Sequence, residues 1–335
     1  MKRIIYLAYY MKELDKAKLK KFTSEVKRAK NISGFKLWKD VISSSLKYNI
    51  SILDYFYFRF YELDSEQRKA YAGTGYMYEY QLKMNPPAHR NVLEDKILFL
   101  EKYKDFVIRK HSTYAALKTN KSLLEEFLSN PSGKLVAKGS KGQVGAEVKI
   151  IKTQDYTAES LLKYMKENNL DLLEDYVVQH PDIMAVSPSG LNTIRVFTQI
   201  ENGKLYYLGA RFRITINSAV DNMAAGNPAA PIDIETGKVN GPAIFSDITR
   251  EGITVHPITG AQIVGFTIPF WEEIKEMLEK AVFLVPENRS IGWDIAITEK
   301  GPELIEGNHN WCKLLWQLPV RKGLKNELEK FAVNG

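Results

Sequence analysis

The Asn-Pro-Pro sequence at positions 85–87 divides the chain into two regions of different character. Proline fixes its own backbone, cannot donate a backbone hydrogen bond and disfavours a helical residue before it, so no helix is expected to continue through this point. Before it, lysine-rich and amphipathic patterns predict helices over 11–30 and 35–48. We therefore predict a helical N-terminal region over residues 1–90.

After this break, apolar segments separated by turn residues predict strands mixed with helices. The Asn202-Gly203 turn between two such segments is a strong hairpin signal. This pattern predicts a region of mixed α and β structure. The predicted strands cover 106–109, 134–138, 147–152, 175–179, 193–200, 205–216, 231–235, 291–297 and 303–308.

Composition limits the class of protein. The chain has 335 residues, of which 44% are hydrophobic and 26% charged, as in an ordinary globular protein of two or three domains. The single cysteine, Cys312, excludes an intramolecular disulfide and a Cys-cluster zinc site, and it fits a reducing, cytoplasmic location. We expect neither a signal peptide nor a membrane-spanning helix, because no apolar segment is long enough.

The positive charge is concentrated at the N-terminus. Residues 1–50 contain 13 basic and 4 acidic side chains, whereas the rest contains 34 and 36, so the net charge of +7 comes from the first segment. The pattern fits a solvated helix face. It also fits a basic surface that contacts an acidic glycan or an anionic membrane, at its inner face. No nucleic-acid-binding motif accompanies the charge, so we expect no nucleic-acid partner.

Acidic and amide side chains occur in the two strands predicted at 291–297 and 303–308. If Thr298 pairs with Pro302 across a three-residue turn, Asp294 lies opposite Glu306, and Asn308 points from the same face. Such oxygen ligands suit Mg²⁺, which keeps several waters and is completed by substrate phosphates. Alternatively, the carboxylates pair with arginines or remain hydrated at a sheet edge.

A glycine-containing loop follows the predicted strand 134–138. Gly139, Gly142 and Gly145 would let backbone N–H groups approach phosphate oxygens, with Lys138 adding a charge beside them. The spacing matches neither the P-loop nor the Rossmann fingerprint, and a glycine-rich hairpin with exposed lysines fits equally well. Without further context, the sequence predicts that Lys96 is a surface lysine.

Arginines occur within two predicted strands. Arg195 lies in the first, and Arg211 and Arg213 alternate onto one face of the second. Strand arginines either face solvent or recognise phosphate and carboxylate groups through two hydrogen bonds.

Taken in order, these elements resemble the ATP-grasp superfamily, and in particular its sugar-transfer-associated branch. The similarity extends over roughly residues 50–320. It is most specific at 191–197 (LNTIRVF), 220–237 (VDNMAAGNPAAPIDIETG), 256–260 (HPITG), 292–294 (GWD) and 305–308 (IEGN).

The resemblance implies two α+β lobes that clasp ATP after the N-terminal helical region. One lobe would cover 91–180 and bind the nucleotide, and the other would cover 181–335 and hold the metal and substrate. Residues 176–180 would form the hinge whose backbone contacts adenine. The implied nucleotide-binding residues are Lys96, Lys138, Gly139, Ser140, Gly142, Gly145, Val178, Gln179 and His180.

The same resemblance implies the remaining site residues. One or two Mg²⁺ ions, with Mn²⁺ as an alternative, would be held by Asp294, Glu306 and Asn308. The arginines would stabilise the transferring phosphoryl and acyl groups; they are Arg195, Arg211 and Arg213. Three further residues would lie near the substrate, namely Asp221, Asn222 and His256.

The resemblance also implies a reaction. ATP-grasp enzymes usually couple a carboxylate to an amine through an acyl phosphate, and this branch suggests a uronic acid or glycan carboxylate of surface-polysaccharide synthesis, with an amine donor. Two alternatives remain: an ATP-dependent phosphotransferase, and a nucleotide-binding scaffold without turnover.

Overall fold

The computed structural model describes residues 2–12, 14–141 and 148–332. Helices form the first quarter of the chain, and several begin at a side chain that accepts a backbone hydrogen bond. Asp15 and Ser33 cap the second and third helices, and Ser51 and Asp64 form capping boxes at the fourth and fifth. The helices are α1 (Lys2–Lys12), α2 (Lys16–Lys30), α3 (Gly34–Tyr48), α4 (Ile52–Tyr57), α5 (Ser65–Lys69) and α6 (Thr74–Met84).

The middle of the chain forms a smaller lobe around a four-stranded antiparallel sheet. Its strands lie in the order β1-β4-β2-β3. They are β1 (His111–Thr113), β2 (Lys134–Lys138), β3 (Lys149–Lys152) and β4 (Leu172–Asp175). The helices of this part of the chain are α7 (Asn91–Glu94), α8 (Lys96–Lys102), α9 (Tyr114–Thr119), α10 (Lys121–Leu128) and α11 (Ala158–Glu167).

Two strands predicted in this lobe are wrong. Residues 106–109 form no strand, because the chain makes a 3₁₀ turn over Lys104–Phe106 and extends only from His111. The strand predicted at 175–179 instead occupies Leu172–Asp175. There the apolar Leu172 and Leu173 are buried, which places the hinge segment after the strand.

A five-stranded antiparallel sheet forms the larger lobe, in the order β7-β6-β5-β8-β9. Its strands are β5 (Ile194–Glu201), β6 (Lys204–Arg213), β7 (Ala229–Ile232), β8 (Ser290–Thr298) and β9 (Gly301–Asn308). The remaining helices are α12 (Pro181–Val186), α13 (Trp271–Ala281), α14 (Lys313–Gln317) and α15 (Lys325–Ala332). The predicted Asn202-Gly203 hairpin turn is confirmed, since Glu201 pairs with Lys204.

Both faces of the larger sheet are covered. Val196 on β5 belongs to the hydrophobic cluster that includes Ile274 and Leu278 of α13. Its neighbour Phe197 belongs to a second cluster, with Trp316 of α14 and residues of the N-terminal helices. Every residue of β5 is therefore buried, as expected for a strand between two helical layers.

The N-terminal helices share a core with the end of the chain. The cluster that contains Phe197 extends from Phe22 of α2 to Phe331 of α15. Gln317 Oε1 accepts a hydrogen bond from Ala72 N at 2.9 Å, and Gln317 Nε2 donates one to Ala72 O at 3.0 Å. The helical region is therefore built into the larger lobe. Within the described residues, no helix is both long and apolar enough to cross a bilayer.

Candidate active site

Four charged residues form a row across the larger sheet. Arg211 on β6 pairs with Arg195 on β5, Arg195 pairs with Asp294 on β8, and Asp294 pairs with Glu306 on β9. Directly paired residues of neighbouring strands point from the same face. We call these four residues the charged row. It places a guanidinium beside the carboxylate pair that the sequence predicted.

The β8–β9 hairpin reaches this register by a different route from the predicted one. Thr298 pairs with Gly301, so the turn has two residues rather than three, and the predicted pairing of Thr298 with Pro302 is wrong. Between Leu304 and Glu306 the register shifts by one residue, which identifies Ile305 as the inserted residue of a β-bulge. The bulge restores the predicted alignment of Asp294 with Glu306.

Asp294 and Glu306 have opposite electrostatic environments. Burial would raise the pKa of the Asp294 carboxyl, but Arg195 and Arg213 hold it well below its usual range. Burial, together with the charge of Asp294, raises the pKa of Glu306. Asn308 Nδ2 donates a hydrogen bond to Glu306 Oε1 at 3.1 Å. Asp294 is therefore an anion whose charge is stabilised by two arginines, whereas burial and Asp294 destabilise the ionised form of Glu306.

Arg213 connects the charged row to the 220–237 segment. Its Nη1 lies 2.8 Å from Asp294 Oδ2, and its Nη2 lies 2.7 Å from Asp221 Oδ1. Asp221 Oδ2 also accepts hydrogen bonds from Thr193 N and Oγ1. Asp221, predicted to lie near the substrate, is thus an anchor for Arg213. Burial raises the pKa of Asp221 in spite of this guanidinium.

Arg211 has a different environment from the other two arginines. Its Nε donates to the carbonyl oxygen of Trp316 at 3.1 Å, its Nη2 donates to the same oxygen, and its Nη1 donates to Ala210 O at 2.7 Å. Burial lowers the pKa of Arg211 to about 9. A buried cation satisfied only by carbonyl groups retains a strong attraction for an anion.

Lys138 lies at the end of β2, beside a buried network that links the two sheets. Its Nζ is 2.8 Å from Glu174 Oε2 on β4, and Arg109 Nε is 3.2 Å from the same oxygen. Arg109 Nη1 in turn lies 3.0 Å from Glu303 Oε2 on β9. Glu174 and Glu303 thus belong to different sheets, and Arg109 joins them.

The network sets the protonation of its members. Burial would raise the pKa of Glu174, but Arg109 and Lys138 lower it to about 2. Burial lowers the pKa of Lys138, against the attraction of Glu174 and, more weakly, of Glu306. Through Glu174 and Arg109, the predicted phosphate-binding lysine is connected to Glu303 on β9 of the acidic hairpin.

Lys96 meets the predicted phosphate loop at Ser140. The backbone N–H of Lys96 donates to Ser140 O at 2.9 Å, and its Nζ lies 3.5 Å from the same oxygen. Ser140 Oγ donates to Asp171 Oδ2 at 2.6 Å. Gly139, before it, is buried. The other two predicted loop glycines lie outside the described residues; they are Gly142 and Gly145.

The predicted hinge residues take three orientations. The Val178 side chain is 57% exposed, whereas Gln179 is buried and bonds to Gly190 O and Asn192 N at 2.8 and 2.7 Å. His180 N donates to Ile297 O on β8 at 2.8 Å. The Gln179 side chain therefore secures the hinge to the larger lobe and faces away from solvent.

Two predicted substrate residues have structural contacts. Asn222 Oδ1 accepts from Ala224 N at 2.9 Å and so begins a short 3₁₀ helix. His256 is fully buried, its Nε2 lies 3.0 Å from Thr215 O, and its Nδ1 faces two backbone N–H groups at 3.4 Å. The buried imidazole therefore supports the 256–260 turn.

The donor atoms of the predicted metal ligands show whether a divalent cation would fit between them. Asp294, Glu306 and Asn308 provide two carboxylates and one amide within one corner of the sheet. Hard oxygen donors that leave room for water suit Mg²⁺. A cation there would stabilise the ionised Glu306 carboxylate, whose pKa is raised by burial and by the charge of Asp294. Within the described ranges, this site included, no group of three His, Cys, Asp or Glu side chains is arranged to bind a metal.

Sequence reasoning missed three polar residues that support the site, namely Arg109, Glu174 and Asp171. Glu174 gave a signal that could have been used, because it is an acidic residue that directly follows two leucines in the segment LLED. Arg109 and Asp171 carried none, since each acts on residues more than 30 positions away along the chain.

The chain belongs to the sugar-transfer-associated ATP-grasp family, whose sequence model matches residues 76–333. This confirms the predicted family and the predicted ATP-grasp fold of class α+β. The match begins within α6, so the first five helices precede it. A comparison with curated proteins found no match.

Solved structures of similar fold include three of different activities. The first is the ATP-grasp ligase PsnB complexed with a phosphomimetic variant of a minimal precursor, Mg and ADP (12% identity, TM-score 0.43, 75% of this chain and 60% of that one). The second is D-alanyl-alanine synthetase A from Vibrio cholerae (13%, 0.42, 74% and 68%). The third is biotin carboxylase from Campylobacter jejuni (12%, 0.44, 70% and 45%). The chain thus spans less than two thirds of the first and third.

Proposed function

We propose that the chain is an ATP- and Mg²⁺-dependent carboxylate–amine ligase that acts through an acyl phosphate. The observation that carries the proposal is the buried chain of ion pairs that connects Lys138, through Glu174 and Arg109, to Glu303 on β9, the strand that also carries Glu306. Membership of an ATP-grasp family supports the same assignment.

In this proposal the cationic residues hold the nucleotide. Lys138 and Lys96 contact the phosphates of ATP, and the backbone at Gly139 and Ser140 lies beside them. The segment at Val178 and His180 lies along the adenine. Bound Mg²⁺ would screen the phosphate charges and lower the barrier to phosphoryl transfer.

Glu306 and Asn308 would provide oxygen donors to the metal, with Asp294 beside them. Burial and the charge of Asp294 raise the pKa of Glu306, so a cation bound beside this carboxylate would stabilise its ionised form. Arg195 and Arg213 already neutralise much of Asp294, so Glu306 has the greater capacity to respond to a metal.

The proposed reaction balances in two steps. A substrate carboxylate oxygen attacks the γ-phosphorus of ATP, the bond to the β-phosphate oxygen breaks, and ADP leaves. An amine then attacks the acyl carbon, loses a proton and displaces inorganic phosphate, which forms the amide. Arg211 would attract the anionic phosphoryl and acyl groups of this reaction, because its buried guanidinium has only carbonyl partners.

The family description, which associates these proteins with sugar transfer, supports a sugar as the proposed substrate. We propose a hexuronic acid carboxylate, free or within a surface glycan, as the acceptor. The partner substrate would be an amino acid or another amine.

The test is a screen of uronic acids against amines with MgATP, in which ADP release is followed by mass spectrometry. The proposal predicts ADP, phosphate and a product with the combined mass of acid and amine less one water. A stable phosphorylated acid would instead establish a phosphotransferase.

A matched pair of variants distinguishes an ATP-consuming enzyme from a nucleotide-binding scaffold without turnover. Glu306→Gln should abolish Mg²⁺-dependent ADP formation, because it removes the carboxylate charge from the proposed metal site. Glu299→Gln alters an exposed residue at the turn of the same hairpin and should leave the rate unchanged. Equal rates in the two variants would contradict the proposed site.

A further inference from the structure

A lysine-rich surface lies where α2 meets α3. Along α2, Lys20 and Lys27 are exposed and occupy one face, because seven residues make nearly two helical turns. On α3, Lys36 and Lys39 are also exposed. We use the name basic corner for these four lysines together with Phe35, which directly precedes Lys36.

Phe35 is the most exposed large apolar side chain within the described residues, at 83%. It lies four residues before Lys39 on α3, so the two side chains project from neighbouring positions. A Cβ added to Gly34 would lie 3.7 Å from Lys27 Nζ, which places that ammonium group over the start of α3. An exposed aromatic ring therefore lies at the start of α3, near Lys27 and Lys39.

Among the residues that the structure describes, no ion pair neutralises the lysines of the basic corner. Nearby acidic residues are occupied by other cations: Glu25 by Arg28, Asp247 by Lys21 and Glu62 by Lys30. Within the described ranges, no carboxylate pairs with any of the four lysines. Their charges are available to an external anionic surface.

We propose that the basic corner docks the protein on an anionic lipid bilayer, with Phe35 inserted at the interface. Lysines attract acidic headgroups, and each contributes about fivefold to partitioning near such a surface. The exposed ring favours the bilayer over an acidic glycan. Transfer of an aromatic side chain into the acyl boundary is favourable, whereas a hydrated polysaccharide offers it no comparable apolar environment.

The capping of both helices keeps this geometry rigid. Asn31 ends α2 in a left-handed backbone conformation, and Ser33 Oγ accepts from Lys36 N at 3.3 Å to begin α3. Only three residues separate the helices, namely Asn31, Ile32 and Ser33. The lysines are thus presented by fixed helices rather than by a loop, and docking would orient the larger lobe against the membrane.

The experiment is co-sedimentation of the full chain with vesicles of phosphatidylcholine alone and with about 30% phosphatidylglycerol, at about 50 mM and about 300 mM salt. The proposal predicts binding to the anionic vesicles only, weakened by salt. Replacing Lys27, Lys36 and Lys39 with Gln should lower the partition coefficient more than about tenfold.

A matched control removes the same charge elsewhere. Lys118, Lys166 and Lys204 are exposed, belong to other elements, and have no acidic partner in the described part of the chain. Changing these three to Gln should reduce vesicle binding far less than the change at the basic corner. Equal losses for the two triple variants would show that only net charge matters, which overturns the proposal.

Phe35→Ser tests insertion separately, because this exposed residue contributes little to the core. It should lower vesicle binding severalfold at high salt, where the electrostatic contribution is screened. Unchanged vesicle binding of this variant would contradict the proposed insertion of Phe35 into the bilayer. Binding to an acidic polysaccharide but not to anionic vesicles would replace the bilayer as the partner. Circular dichroism of each variant verifies folding.

Discussion

Arg195 and Asp294 are directly paired across β5 and β8, and their side chains form two parallel hydrogen bonds, Nε to Oδ1 at 2.5 Å and Nη2 to Oδ2 at 2.6 Å. Arg213 adds a third contact to the same carboxylate at 2.8 Å. Asp294 is therefore held as an anion, while its other strand neighbour, Glu306, has a raised pKa. Adjacent carboxylates with divergent pKa values are typical of functional sites.

Glu306→Gln should stabilise the protein when no metal is present. Burial and Asp294 raise the folded-state pKa of Glu306 above its unfolded value, so the ionised carboxylate reduces stability at pH 7.5. This cost disappears as the pH falls through the raised pKa, because the folded protein then binds the proton more readily. We expect the Tm of the variant to exceed the wild-type Tm by roughly 2 °C or more at pH 7.5.

The comparison with wild type at acidic pH provides the control. Scanning calorimetry in the presence of EDTA should show the difference in Tm shrinking as the pH decreases. A difference that grows on acidification would contradict the assigned direction of the Glu306 pKa.

Lys138 should make nucleotide affinity sensitive to alkaline pH. The ammonium form attracts phosphate, and burial lowers the pKa of Lys138 below that of an ordinary lysine. The Kd for MgADP, measured by titration calorimetry, should therefore rise with pH earlier than an unperturbed lysine would cause. The arginine in Lys138→Arg stays charged at alkaline pH, so this variant should not show the rise in Kd. If the Kd of the variant changed with pH as in the wild type, Lys138 would be excluded as the group responsible.

Arg109→Met should strongly destabilise the protein. Arg109 is buried between Glu174 and Glu303, and its removal leaves both buried carboxylates without their shared cation. Breaking a buried ion-pair network in this way costs about 3–5 kcal/mol. Urea unfolding should show the loss, whereas Arg28→Met, at an exposed pair with Glu25, should leave the unfolding midpoint unchanged.

Gln317→Ala should weaken the attachment of the N-terminal helices. The amide of Gln317 bonds to both backbone groups of Ala72 and accepts from Leu324 N at 3.1 Å. Loss of these partners should cost about 2–4 kcal/mol, because buried backbone groups are left unsatisfied. Limited proteolysis should cut the variant faster between α5 and α6. Gln154→Ala, at an exposed position, is the control and should behave as wild type.

The local part of the site could be predicted from the sequence. The alternation of strand residues aligned Asp294 with Glu306, and that alignment is confirmed even though the turn is shorter and Ile305 forms a bulge. The turn and the bulge were not predictable, because the two changes in register cancel and leave no trace in the apolar pattern.

Long-range contacts could not be predicted in this way. Arg109 joins Glu174 to Glu303 because two sheets approach each other, and no local periodicity encodes that approach. The family resemblance implied that Lys96 and Ser140 both bind the nucleotide, but no local pattern predicted the contact between them. The packing of the N-terminal helices against α14 and α15 likewise depends on apolar faces whose partners the sequence does not specify.

The most direct test of the proposed site is a crystal structure with MgADP. The account predicts the phosphates between Lys138 and the β8–β9 hairpin, with oxygen atoms of Glu306 and Asn308 at about 2.1 Å from Mg²⁺. A nucleotide bound elsewhere, or a metal ion that touches neither residue, would contradict it.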